Sequence, residues 1–205
     1  MAFFRGIFEE GRKGKGPLPA FIQVDLFRAL WILGQGEISR KALSQKLRIG
    51  EGSTRTILSH FSKRKMVRIT RQGCNLTNAG QAALSEIKRT VIKVSGVKGS
   101  FITFNQPAFG IHLKGLAHKL KKGLEERDEA IRAGASGATV FVVKKGRFAF
   151  PGWENNDLAL EIAKDLREEF GSKDGDVLIL SYSNNGLAAE RGAWNAAMYL
   201  LKKSD

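Results

Sequence analysis

Ser53, Arg55, Thr56, Ser59 and Lys63 fall on one side of a short helical stretch, and all five are small and polar or basic. Side chains of these types at this spacing can make hydrogen bonds along a narrow strip. An arginine fork suits the O6 and N7 acceptors of a guanine, so Arg55 is the candidate for a base contact. The opposite side carries Thr54, Leu58 and Phe61 at i, i+4 and i+7, the spacing of a face that packs on a core. Arg40 and Lys41 open the preceding helical stretch, and Arg68 and Arg71 lie on a following ribbon. Those four suit contacts to phosphate, which position a protein without reading sequence.

The elements that must hold these residues run from Glu37 to Gly80. Ser39 is an N-cap residue, because its hydroxyl can accept a bond from an otherwise unpaired backbone N–H. Ala42, Leu43 and Leu47 then share a face, and Arg48-Ile49-Gly50 breaks the helix. A second helix opens at Glu51 or Gly52. Met66, Val67 and Ile69 alternate with Arg68 and Arg71 in strand fashion, Gln72-Gly73-Cys74-Asn75 is a turn, and Leu76-Thr77 is a short return strand. Thr77 caps a further helix from Asn78 to about Thr90. Helix, tight turn, helix, basic ribbon, helix is the layout in which the second helix enters a DNA major groove. Through Leu47-Arg48-Ile49-Gly50, the helix start at Ser53–Leu58 and Leu76-Thr77-x-x-Gly80, the segment resembles the winged helix-turn-helix family of DNA-binding domains.

Charge separates the two halves of the 205 residues. Residues 1–95 hold 18 Lys+Arg against 6 Asp+Glu, and residues 96–205 hold 16 against 14. A surface charged only for solubility has no reason to place its excess in one half. A phosphate-binding surface has, since each neutralised phosphate releases counterions. The single cysteine excludes an intramolecular disulfide and a thiolate zinc cluster, and His60, His112 and His118 are scattered. No metal and no cofactor are expected. Cys74 is expected at the exposed ribbon turn. The apolar stretch Phe21–Leu33 is interrupted by Gln23, Asp25 and Arg28, and the first residues lack the order of a secretory signal. These features predict a cytoplasmic protein with no membrane partner.

Residues 1–16 carry Arg12, Lys13, Lys15 and four glycines and read as a mobile basic arm. A helix is expected from Ala20 to Leu33, with Phe21, Val24, Phe27, Leu30 and Trp31 on one face. Gly and Ser near 96 mark a boundary, giving a DNA-binding domain over 1–95 and a second domain over 96–205. The second half alternates strands and helices: a hairpin of Phe101–Phe104 with Ala108–Leu113, and a helix Leu124–Ala133. A hairpin of Ala138–Val143 with Arg147–Phe150 follows. Then come a helix from Asn156 or Asp157 to Phe170, a strand Asp176–Tyr182 and a helix Gly186–Leu201. The fold class is α+β, an N-terminal winged helix followed by an α+β domain with a mostly antiparallel sheet.

Over most of its length the chain resembles archaeal winged-helix proteins that carry an uncharacterised C-terminal domain. The shared features are Gly50-Glu51-Gly52 before Arg55-Thr56, then Arg127-Asp128-Glu129-Ala130-Ile131, Gly134-Ala135-x-Gly137-Ala138 and Pro151-Gly152. The resemblance implies a regulator of transcription and supplies no ligand. From the residues, Ser181, Ser183, Asn184 and Asn185 sit between an apolar strand and a helix N-terminus, a place where a small polar effector can bind; the same residues also serve as a turn and cap. Arg127-Asp128 and Glu190-Arg191 are expected to pair across two helices, with Arg127 as the alternative effector contact. No nucleophile–His–acid order, phosphate loop or metal cluster is visible, so no catalytic residue is assigned and no enzyme is expected. The expected function is a homodimeric, sequence-specific binder of double-stranded DNA. The alternative is a metabolite-binding or catalytic C-terminal domain, with the winged helix as a protein-interaction module.

Overall fold

The computed structural model describes residues 21–153, 160–171 and 173–203. The basic arm at 1–16, the expected helix start at Ala20 and the expected cap at 156–157 lie outside them. The chain divides into two units, Met1–Ile87 and Lys88–Asp205.

In the first unit α1 is Val24–Leu33, α2 is Arg40–Leu47, α3 is Glu51–Lys63, β1 is Val67–Ile69, β2 is Cys74–Leu76 and α4 is Asn78–Lys88. Each helix contributes one apolar stripe to a single core. Phe27, Leu30 and Leu33 from α1 meet Leu43 and Leu47 from α2, Ile57, Leu58 and Phe61 from α3, and Leu84 and Ile87 from α4, all at most 2 % exposed. A fully buried side chain of this size contributes roughly 1.5–3 kcal/mol. Asp25 and Arg28, which interrupt the apolar run of α1, are buried with it. The Arg28 guanidinium donates to Asp25 Oδ1 at 2.7 Å and to the Leu47 carbonyl at 3.1 Å, tying α1 to the end of α2.

The second unit is one antiparallel sheet with helices on both faces. Its strands are β3 (Val91–Val97), β4 (Ala108–Leu113), β5 (Gly137–Lys144), β6 (Arg147–Ala149) and β7 (Val177–Tyr182), in the order β3-β4-β7-β5-β6. Its helices are α5 (Leu124–Arg132), α6 (Leu160–Phe170) and α7 (Gly186–Lys202). The central strand β7 is buried along its whole length, as its run Val-Leu-Ile-Leu requires. Leu178 and Leu180 face α6, packing with Phe141, Val143, Phe148, Leu166 and Phe170. On the other face α7 lies so close that a Cβ on Gly192 would stand 2.3 Å from Ser181 Oγ.

Two expectations need correction here. Phe101–Phe104 is not a strand: Phe101–Thr103 is a 3₁₀ turn. The buried Thr103 hydroxyl organises it, donating to the Ser100 and Gln106 carbonyls and accepting from the Ser100 N–H. The strand that pairs with β4 is β3, Val94 opposite Ile111 and Val97 opposite Ala108. The return strand of the ribbon is Cys74–Leu76 rather than Leu76-Thr77. Thr77 instead accepts from the Gly80 N–H and donates to the Lys65 carbonyl, capping α4 as its type suggests.

Candidate nucleic-acid interface

Local chemistry sets the angle between α2 and α3. The Ser39 hydroxyl accepts from the Ala42 N–H at 3.1 Å and starts α2. Arg48 ends it in the left-handed region at φ 54, and the Ser44 hydroxyl closes the turn on the Ile49 carbonyl at 2.7 Å. Thr54, fully buried, donates back to the Gly50 carbonyl at 3.2 Å. The inner face of α3 is thereby fixed. Arg55, Thr56, Ser59 and Lys63 come out exposed, and Ser53 is half-buried.

The ribbon is held against this pair. β1 and β2 register Val67 opposite Leu76 and Ile69 opposite Cys74. Thr70 makes the turn: its hydroxyl accepts from the Gln72 and Gly73 N–H groups, both at 3.2 Å. Gly73 packs closely there: a Cβ would lie 3.0 Å from the Ile38 carbonyl oxygen and 2.8 Å from Glu37 Cγ. Ile38 and Cys74 exchange backbone hydrogen bonds of 3.3 and 2.8 Å. Cys74 is therefore not at an exposed turn but 1 % exposed within β2. Burial pushes its thiol above the ordinary value, against a smaller opposing effect of Arg40.

Between α3, the start of α2 and the ribbon lies an open groove of about 750 Å³. Arg40, Lys41, Arg55, Lys63 and Arg71 line it, with Ser59, Ser62, Thr70 and Gln72 between them and one carboxylate, Glu51. Six of the nine residues proposed from sequence for DNA meet there: Arg40, Lys41, Arg55, Ser59, Lys63 and Arg71. Arg68, exposed on β1, and Ser53 and Thr56 on α3 are outside its lining. The Thr56 hydroxyl donates to the Gly52 carbonyl at 3.1 Å, leaving it as an acceptor. The sequence reading missed Ser62, Thr70 and Gln72; the last two flank Arg71, which was the available signal.

In the second unit the loop before α7 is built largely on itself. The Ser181 hydroxyl is buried and reaches the Gly137 carbonyl at 3.4 Å. Ser183 Oγ accepts from the Asn185 N–H, and Asn185 Oδ1 caps α7 on the Leu187 and Ala188 N–H groups. Asn184 is exposed. Arg127 reaches its own neighbour, with Nε and Nη2 on Asp128 Oδ1 at 3.2 and 3.0 Å. Arg127 was expected to pair across to the last helix; instead its long side chain folds back along the exposed helix surface onto the adjacent carboxylate. The join between α5 and α7 is made by other groups. Lys203 Nζ meets Glu125 and Glu126, and Asn195 Nδ2 donates to the Glu129 carbonyl at 2.9 Å.

His112 is one of the scattered histidines. Its partner comes from 64 residues away: Nε2 lies 2.7 Å from Asp176 Oδ2, with both residues buried. Asp176 Oδ1 also accepts from the Gly115 N–H. The pair ties the end of β4 to the start of β7.

No helix among the described residues is long and apolar enough to cross a membrane. No curated protein matches the chain. Residues 25–82 match the family model of the PH0730-like N-terminal domain. Residues 104–200 match that of a domain of unknown function, DUF4443. Among solved structures, a hypothetical protein, PH0730, from Pyrococcus horikoshii OT3 is 26 % identical over 89 % of this chain and 94 % of its own, with a TM-score of 0.75. The two matched segments fall one in each unit, and the structural likeness extends over both.

Proposed function

We propose that the first unit is a winged helix-turn-helix that binds double-stranded DNA, and that the protein regulates transcription through it. The observation that carries the reading is the groove: five basic side chains face one concavity between α3 and the ribbon, with one carboxylate among them. None of the five is in an ion pair among the described residues. Unpaired cations converging on one concavity suit a phosphate strand. The major groove, about 12 Å wide, admits a helix such as α3 with its polar side facing the bases. In that pose Arg55 and Ser59 face base edges, while Arg40, Lys41 and Arg71 hold phosphate.

Fluorescence anisotropy with duplex DNA over a salt series tests this. Three to five phosphate contacts give a log–log slope of about −3 to −5. A duplex selected from random sequence then separates base contacts from backbone contacts. Arg55→Ala should weaken the selected duplex far more than an unselected one. Binding that is absent, or insensitive to salt, overturns the proposal.

A further inference from the structure

Sheets end in edges, and an unpaired edge is a template for another strand. The second unit has two. β6 is three residues long and begins with Arg147, so it offers little to pair with. β3 is seven residues long, bonded to β4 on one side, with no strand on the other among the described residues. Ile92 is 47 % exposed, and Val94 and Val97 are half-buried.

A lysine normally guards such an edge, because a new strand would bury its charge. Here the guard is already neutralised. Lys93 Nζ is turned onto α6, 3.0 Å from Glu169 Oε1, with the Glu169 carbonyl beside it and the Phe170 ring centroid at 5.9 Å. Pairing along β3 would therefore bury no uncompensated ammonium.

The strand is also self-complementary. Two copies pair antiparallel about a two-fold axis normal to the sheet, which preserves the faces and so sets one residue directly opposite its own copy. With full overlap of the seven residues that residue is Val94. Lys93 then stands opposite Ser95, and the register shift against β4 between Val91 and Lys93 falls at the two ends of the ribbon, where Ile92 meets Gly96 and Val91 meets Val97. Moving the axis to Lys93 would set two lysines against each other, which is unfavourable.

We propose that two copies of this chain associate through β3, antiparallel about Val94, joining two five-stranded sheets into one. The chains enter the joined sheet at the two Val91 residues, six steps apart or about 20 Å. Each N-terminal unit is then tethered at its own end of the ribbon.

The test uses the full chain without DNA, so its outcome is separate from that of the groove reading. Light scattering after size exclusion should give about twice 22.6 kDa. Val94→Lys and Val94→Glu should each be monomeric, and an equimolar mixture should recover the dimer. Val94→Cys should form an interchain disulfide under mild oxidation. Directly opposed residues have Cα atoms about 4.5–5.5 Å apart, within disulfide range, and the native thiol, Cys74, is buried. If both charged variants fail to fold, the cysteine variant decides alone. A monomeric parent protein overturns the proposal. So does a dimer that survives Val94→Lys, or a Val94→Cys variant that gives no crosslink.

Discussion

The two units use charge in opposite ways. In the second, Lys93 meets Glu169, Arg132 meets Glu129, and Lys203 meets Glu125 and Glu126. In the first, Arg40, Lys41, Arg55, Lys63 and Arg71 converge on one groove without carboxylate partners. A paired charge projects little field and serves to join elements of the same chain. Like charges held together on one concave wall project a field outward, at a cost in mutual repulsion that an anionic partner relieves. Net charge divides the halves in the same sense, but only the geometry separates cations that hold the fold from cations that face outward.

Arg28 is a cation of the first unit used internally, and it should give the largest effect. Arg28→Ala removes the guanidinium from the buried Asp25 carboxylate, which keeps the Ile22 N–H, and breaking such an ion pair costs about 3–5 kcal/mol. Urea unfolding of the first unit, followed by labelling of Cys74, measures this; a loss under about 1 kcal/mol would mean water reaches Asp25. Replacing both residues with apolar ones of similar volume should be far milder. In the second unit the sensitive point is a close approach of backbone. Gly192→Ala places a methyl 2.3 Å from Ser181 Oγ and 2.7 Å from Ala135 Cβ. Overpacking of this kind costs about 1–3 kcal/mol, read as a lowered midpoint in the same denaturant.

Two smaller effects sharpen the contrast. Arg71→Ala should flatten the salt dependence of DNA binding by about one unit of log K per log salt. Lys164→Ala, whose side chain pairs with Glu168 at 3.9 Å, should leave the slope unchanged. Equal slopes in both variants would remove the distinction between outward and paired cations. The smallest effect is in acid. A hydrogen bond from Lys203, and then its charge, hold the Glu125 carboxyl below the ordinary 4.5. The stabilisation is present above that value and is lost as pH falls through the depressed one. Glu125→Gln, which leaves Lys203 on the buried Glu126, should therefore reduce the acid sensitivity of the second unit below about pH 4.5, measured as midpoint against pH.

Sequence showed the helices of the first unit because each carries a stripe at helical spacing, and it showed the α2 cap because Ser39 acts on a neighbour three residues on. It missed Ile57, which joins Thr54, Leu58 and Phe61 in the core, by counting a stripe narrower than the buried face. Asp25 and Arg28 looked like breaks in an apolar run although they pair at i,i+3; their burial depends on the Leu47 carbonyl of another helix, which takes a second bond from the guanidinium. His112 and Asp176 carry no local signal across 64 residues. Phe101–Phe104 misled because the run Phe-Ile-Thr-Phe reads alike as strand or turn. The deciding contact is the buried Thr103 hydroxyl, which closes the chain on itself. In the candidate groove, charge type was legible while convergence was not. Arg68 and Arg71 look equivalent on the ribbon, yet only Arg71 faces the groove.

The place of β7 has a consequence in time. The four earlier strands make two local hairpin-like pairs, β3 with β4 and β5 with β6, and the pairs share no ladder of their own. β7, the last strand to be made, inserts between β4 and β5 and bonds to both. During synthesis the first unit can fold as soon as residue 87 has emerged, because its elements lie together in sequence. The second must wait, as two unjoined ribbons with apolar faces bare, until Tyr182 is released, so the interval between Lys88 and Tyr182 is when the nascent chain is most open to wrong pairing.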